Sequence, residues 1–104
     1  MPTRVVVANQ QQAEAWNGPE SARFVDHAGR YDRQLEPFTQ VLLESARSEA
    51  HHVVLDVGCG SGASTLATAT RAGRVTGIDF SKPLVELVRR RAQDADRQRR
   101  VRDR

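Results

Sequence analysis

Val53-Val54-Leu55-Asp56-Val57-Gly58-Cys59-Gly60-Ser61-Gly62 reads as a strand that runs into a glycine turn. Its first five residues are aliphatic apart from Asp56 and show no polar alternation, which predicts a central parallel strand, buried on both faces in a complete sheet and left with exposed apolar faces where its neighbours are missing. In the turn, Gly58 permits the tight exit from the strand, and Gly60 lets a ligand approach the backbone with no Cβ in the way. Gly62 allows close packing of the next helix. That helix is predicted from Ser61 to about Arg71 with Leu66, Ala67 and Ala69 available for packing, and its start presents free N–H groups. Gly73 stands where a left-handed residue closes such a helix.

Downstream, Arg74 to Ile78 makes a second strand that ends at Asp79. Ser81 is placed to cap a further helix, with Pro83 just inside it and Leu84, Leu87, Val88, Ala92 and Ala95 at helical spacing. Past Ala95 the stripe fails, and only Val101 is apolar in the last eight residues. Upstream, Asn9 is placed to cap a short helix through Trp16, which Asn17-Gly18-Pro19 stops by turn chemistry. A second helix is expected from Glu20 to about Arg33. Pro37 suits the first turn of a third, in which Phe38, Val41, Leu42, Ser45 and Ala46 form one apolar stripe expected to pack on the strands and helices C-terminal to it. Strand, helix, strand and helix in that order indicate a right-handed parallel crossover, so the fold class is α/β.

Composition sets the bounds. A chain of 104 residues with 38% hydrophobic and 28% charged residues suits one small folded domain and is too apolar for a wholly disordered one. No apolar run approaches the length of a membrane span or a secretory signal, which leaves the cytoplasm as the expected address. Cys59 is the single cysteine, excluding an intrachain disulfide and a cysteine metal cluster. The net charge of +3 is uneven: residues 89–104 carry eight arginines against three aspartates, leaving residues 1–88 at −2. That basic run has no aromatic residue to stack on a base, so it reads as a solvated helix end or tail and no nucleic-acid partner is expected.

The glycines with Ala63 satisfy the G-x-G-x-x-G/A pattern of dinucleotide sites, so a nicotinamide-dependent oxidoreductase fragment is one reading. Asp56 weighs against it, because a carboxylate two residues before the first glycine repels a pyrophosphate and attracts an ammonium group. Asp79 lies 19 residues after Gly60, where a carboxylate can accept both ribose hydroxyls of an adenosine; both cofactor classes use that contact.

The segment from Val54 to Gly62, together with Val75-Thr76-Gly77-Ile78-Asp79, resembles the first two motifs of class I S-adenosylmethionine-dependent methyltransferases. Glu14-Ala15-Trp16-Asn17-Gly18-Pro19 and Tyr31-Asp32-Arg33-Gln34-Leu35-Glu36-Pro37-Phe38 are similar to the N-terminal helices of the bacterial ubiquinone/menaquinone C-methyltransferase group. The resemblance spans residues 9 to about 95. It implies a Rossmann-like sheet preceded by helices, S-adenosylmethionine as cofactor and a small-molecule methyl acceptor. It also implies that Asp56, Gly58, Cys59 and Gly60 hold the methionine end, Asp79 the ribose, and that Phe80 flanks the adenine. Family members continue into third and fourth strands that complete the adenine pocket and the acceptor site. This sequence runs instead into Arg97-Gln98-Arg99-Arg100-Val101-Arg102-Asp103-Arg104.

The expected organisation is an N-terminal helical cap over 1–50, a cofactor-binding half of a Rossmann-like domain over 51–96 and a basic tail over 97–104. The expected architecture is thus a partial sheet, truncated after the second strand and its helix. A non-catalytic remnant or interaction module is the alternative reading, and no residue present can be named as a catalytic base. His51 and His52 read as a solvated pair without a metal role. Cys59 contributes a backbone amide rather than a nucleophile. Trp16 and Tyr31 read as packing aromatics, with a lid over the site as the other option. Oligomeric state is not legible.

Overall fold

The computed structural model describes residues 9–102, in the order α1 (Gln10–Trp16), α2 (Pro19–Asp26), α3 (Ala28–Ala46), β1 (Val53–Val57), α4 (Ala63–Ala69), β2 (Arg74–Ile78) and α5 (Lys82–Arg102). β1 and β2 pair in parallel, with Val53 opposite Arg74 and Val57 opposite Ile78. The class is α/β as expected: a two-stranded parallel sheet crossed by α4 and preceded by three helices.

The strands are not buried on both faces. Val54, Asp56, Val75 and Gly77 are half-buried, whereas Val53, Leu55 and Val57 are 77%, 59% and 71% exposed and Ile78 is 44% exposed. The aliphatic run is real, but only one of the two faces it prepares is covered among the described residues. α3 shows the same feature. Phe38, Val41 and Leu42 look outward at 72%, 62% and 55% exposure, and the inward face instead carries Ala28, Asp32, Thr39 and Leu43. Helical spacing identifies an apolar stripe without saying whether anything lies against it.

Helix boundaries also differ from the expected ones. α2 ends at Asp26, the backbone turns at His27 (φ −110°, ψ 16°), and α3 then runs through Pro37 instead of starting there. A proline inside a helix forfeits one backbone hydrogen bond. Here the helix is pinned on either side of it, by Asp32 through its bonds to Ser61 and Arg91 and by buried Leu43. α4 starts at Ala63 because left-handed Gly62 (φ 83°) occupies its N-cap. Gly73 is not left-handed; its role is close approach, since a Cβ there would collide with the carbonyl of Ala50. α5 extends the predicted helix into the basic segment. Its packed stripe ends earlier than predicted, because Leu84, Leu87 and Val88 turn inward while Ala92 and Ala95 are exposed. In the last turns Arg97 pairs with Asp94 and Arg100 with Asp96, surface pairs that add little each. Residues 103–104 of the expected tail lie outside the described residues.

The helical segment is sewn to the β2–α5 junction by polar contacts between residues 60 to 65 positions apart. Ser81 is fully buried and donates to the carbonyl of Trp16 at 2.6 Å. The equally buried Ser21 hydroxyl lies 2.7 Å from it and therefore supplies the proton of that second bond. Ser81 is thus not the side-chain cap it was expected to be. The cap on α5 comes from Asn17, whose Oδ1 accepts from the Lys82 N–H at 2.8 Å while its Nδ2 donates to the carbonyls of Ala13 and Phe80. Asn9 sits at the N-cap position of α1 but makes no side-chain cap bond.

The uncovered strand face yields a prediction. A dye that fluoresces on apolar surfaces should bind the folded chain, and Leu55→Lys should reduce that signal while changing stability by less than about 0.5 kcal/mol, as exposed sites do. Loss of helical circular dichroism in Leu55→Lys would show instead that this face is packed in solution.

Candidate functional site

The glycine turn takes its shape from backbone that only glycine adopts easily. Gly58, Gly60 and Gly62 have φ of 69°, 54° and 83°. They differ in what surrounds them: a Cβ on Gly58 or Gly60 would meet nothing within 4 Å, whereas one on Gly62 would strike the Val88 methyls at 2.7 Å. Gly62 is therefore a packing residue against α5. Gly58 and Gly60 leave the backbone bare toward open space.

That space is a cavity of about 450 Å³, within the range of small-molecule sites. One wall is the turn itself, Gly58 to Ser61, with Ala63 and Ser64; another is Asp79, Phe80 and Leu84 at the β2–α5 junction. The N-terminal helices form the opposite wall. Trp16, Phe24 and Tyr31 make a row with ring centroids 5.1 and 4.6 Å apart, and all three line the cavity. Packing and facing the site are thus one role for Trp16 and Tyr31, where the sequence suggested a choice.

Asp79 closes the turn onto the second strand. Its Oδ2 accepts the Gly60 N–H and its Oδ1 the Ser81 N–H, both at 2.9 Å. A carboxylate offers about four lone-pair positions, so each oxygen keeps capacity for one more donor from the cavity side. Cys59 N–H bonds to the Ile78 carbonyl at 2.9 Å, adding a second tie between the turn and β2.

Of the six residues predicted to form the site, Gly58, Cys59, Gly60, Asp79 and Phe80 line the cavity and Asp56 does not. Asp56 lies on the half-buried strand face, where its Oδ2 accepts the hydroxyls of Ser64 at 2.8 Å and Thr65 at 2.7 Å in the first turn of α4. The protein's own carboxylate thus occupies the electropositive start of that helix. Burial first, and then the charges of Asp79 and Asp56, push the Cys59 thiol above its ordinary value of 9.0. It stays protonated at neutral pH, and its backbone amide, expected to face a ligand, is taken by the Ile78 carbonyl.

Sequence reasoning missed a second group. Arg91 on α5 donates from Nη1 to Asp32 Oδ2 at 2.7 Å and to the Ser61 carbonyl at 3.0 Å, while Ser61 Oγ donates to Asp32 Oδ1 at 2.6 Å. Along the chain Arg91 belongs to an undifferentiated basic run and Asp32 to a helix motif. Only the fold brings them together.

His51 and His52 lie away from this cavity. With Glu49 they hold three potential ligand atoms within 4.8 Å. His52 Nδ1 accepts the Glu49 N–H at 2.9 Å, which assigns the ring proton to Nε2 and leaves neither nitrogen of that ring free to ligate in this arrangement.

Comparison with known proteins bears on the same residues. Residues 54–103 match the family described as a methyltransferase domain, a span that starts in β1 and takes in the glycine turn and Asp79. This half of the chain is thus similar to a methyltransferase domain, in keeping with the resemblance of its two motifs to class I methyltransferases. The chain is 39% identical over 83 residues to a trans-aconitate 2-methyltransferase of Paracidovorax citrulli, covering 78% of this chain and 29% of that protein. It is 40% identical over 43 residues to a cypemycin N-terminal methyltransferase of a Streptomyces species, covering 41% and 18%. An uncharacterized 37.1 kDa protein in a transposon of Streptomyces fradiae is 34% identical over 79 residues, covering 73% and 23%. The chain therefore spans less than a third of the length of each of these relatives. No solved structure gives a significant match. Among the described residues no helix is long and apolar enough to cross a membrane.

The Cys59 environment gives a pH prediction. Because the folded chain holds the thiol proton more tightly than the unfolded chain, this group's contribution to stability is complete below pH 9.0 and falls as pH rises through the higher folded value. Iodoacetamide at pH 8 should alkylate Cys59 more slowly in the folded than in the urea-unfolded chain, read by mass spectrometry. The loss of stability above pH 9 should be steeper than in Cys59→Ala; equal slopes would contradict the environment described.

Proposed function

We propose that this chain binds S-adenosylmethionine in the cavity over the glycine turn and serves methyl transfer to a small molecule. The observation that carries the reading is Asp79. Its two oxygens are aimed by the Gly60 and Ser81 amides, each retains room for a donor, and it stands beside two glycines with open space above them. Such a carboxylate suits the two adjacent hydroxyls of a ribose. Phe80, 53% exposed at the rim, offers a face to the adenine. Bare backbone at Gly58 and Gly60 receives the methionine end, with Cys59 tied between them to the Ile78 carbonyl.

Charge separates this reading from a nicotinamide cofactor. Burial is the main reason the Cys59 thiol is raised, and Asp79 and Asp56 add to it; these two carboxylates beside the turn favour a ligand carrying ammonium and sulfonium over one carrying pyrophosphate. Asp56 contributes as a charge beneath the turn and through Ser64, which it binds and which lines the cavity.

The bound cofactor supplies an electrophilic methyl group; the protein's part is to bind, orient and exclude water. The aromatic row of Trp16, Phe24 and Tyr31 gives the cavity a largely apolar wall opposite the turn, suited to a small organic acceptor rather than to a polymer. The names of two relatives point to different acceptors, trans-aconitate in one and the N-terminus of cypemycin in the other. Similarity to both thus supports methyl transfer and favours neither acceptor. A second reading, a non-catalytic module that needs a partner, is favoured by the exposed Val53, Leu55 and Val57 face.

Titration calorimetry with S-adenosylhomocysteine tests the first reading. Asp79→Ala should weaken binding by roughly ten- to a hundredfold, the worth of about 1.5–3 kcal/mol for a bond to a charged group. NAD should bind more weakly than S-adenosylhomocysteine. Unchanged affinity in Asp79→Ala, or preference for NAD, would sink it.

A further inference from the structure

Ser61 lies between Gly60 (φ 54°) and Gly62 (φ 83°), both in the left-handed region. Its neighbours are fixed from the strand side, Gly60 by Asp79 and Gly62 by its own N–H to the Cys59 carbonyl at 2.9 Å. Ser61 is held from the opposite side, by side chains of α3 and α5. Its carbonyl accepts from Arg91 at 3.0 Å and its hydroxyl donates to Asp32 at 2.6 Å, while Arg91 and Asp32 close the ring at 2.7 Å. The arginine and aspartate side chains are 26% and 24% exposed, so their attraction is screened less than that of a surface pair.

We infer that Arg91 is a positioning residue, which holds the Gly60-Ser61-Gly62 backbone in its ligand-receiving shape by fixing the Ser61 carbonyl and by orienting Asp32 on the Ser61 hydroxyl. The inference rests on the cofactor reading proposed for the cavity. Arg91 does not line that cavity, whereas Ser61 and Asp32 do, so its effect on a ligand passes through them. Without it, the peptide between Ser61 and Gly62 is held only through the Gly62 N–H to the Cys59 carbonyl, and the left-handed glycines on either side of Ser61 resist a change of backbone path less than other residues would. A second consequence concerns charge. Asp32 faces the cavity with its charge matched by Arg91, and the ring joins α3 to the turn so that the aromatic wall and the glycine turn keep their spacing.

Both arginine bonds come from one nitrogen, Nη1. A single ammonium group can reproduce that pattern, which a bidentate arginine contact would not allow. Arg91→Lys should therefore restore much of what Arg91→Met removes.

The test compares wild type, Arg91→Met, Arg91→Lys and Ser61→Ala by hydrogen exchange of the turn amides, by circular dichroism and by calorimetry with S-adenosylhomocysteine. In Arg91→Met the amides of residues 60–62 should exchange faster while those of α4 and β1 do not, and affinity should fall about tenfold, in line with loss of a charge-assisted contact. Arg91→Lys should recover most of both effects. Ser61→Ala, which removes one bond and leaves no charge unpaired, should give a smaller shift of the same kind. If wild type binds no S-adenosylhomocysteine, the cofactor reading fails, and the exchange data still decide whether Arg91 orders the turn. Unchanged turn exchange in Arg91→Met, or uniform acceleration across the domain without rescue by lysine, would overturn the positioning role.

Discussion

The Asp79 carboxylate, by accepting the amides of Gly60 and Ser81, fastens the turn after β1 to the junction after β2. Parallel pairing alone brings the two strand ends side by side, with Val57 opposite Ile78. It does not dictate the path of the chain beyond them. A charged acceptor shared between two backbone donors does, because each donor left unpaired in a half-buried place costs about 1–3 kcal/mol. The left-handed glycines, the start of α5 and the open space above Gly58 and Gly60 all depend on that arrangement. The group that shapes the site is also the one best placed to hold a ligand.

The N-terminal helices are built into this site and do not merely cover it. Asn17 caps α5 and grips the Phe80 carbonyl, and the buried hydroxyls of Ser21 and Ser81 link α2 to the same junction. Asp32 reaches the glycine turn from α3. The cavity wall of Trp16, Phe24 and Tyr31 is therefore fixed by polar contacts at both ends. Aromatic packing fills the space between them.

Apolar burial is thinner than polar stitching in this chain. Among the described residues the fully buried side chains are Ser21 and Ser81, and the buried apolar residues, Ala28, Leu43, Cys59 and Leu84, are few and scattered. Meanwhile Val53, Leu55, Val57 and Phe38 stand in solvent. Hydrogen bonds each add little net stability but are costly to leave unmade, so they specify geometry more than they drive folding. A site of defined shape on a body with an uncovered apolar sheet face is the physical outcome.

Much of the local structure was legible in the sequence. The strand bounds at Val53–Val57 and Arg74–Ile78, the helix between them, the tight turn at Gly58 and the close packing at Gly62 come from backbone sterics and side-chain type, which act over a few residues, whereas Gly73, expected to be left-handed, is not. The family resemblance carried by Asp56, the glycines and Asp79 was legible for the same reason, because each motif is contiguous. What the sequence could not supply was which of two apolar faces is covered, or that Ser81 would turn its hydroxyl to Trp16 and leave the cap to Asn17. Nor could it show that Asp56 would point under α4 rather than into the cavity, or that Arg91 from a basic run would meet Asp32 and Ser61. Each of these is a contact between residues separated along the chain, or the lack of one. Spacing fixes which way a side chain points within its own element, and only tertiary packing decides what it points at.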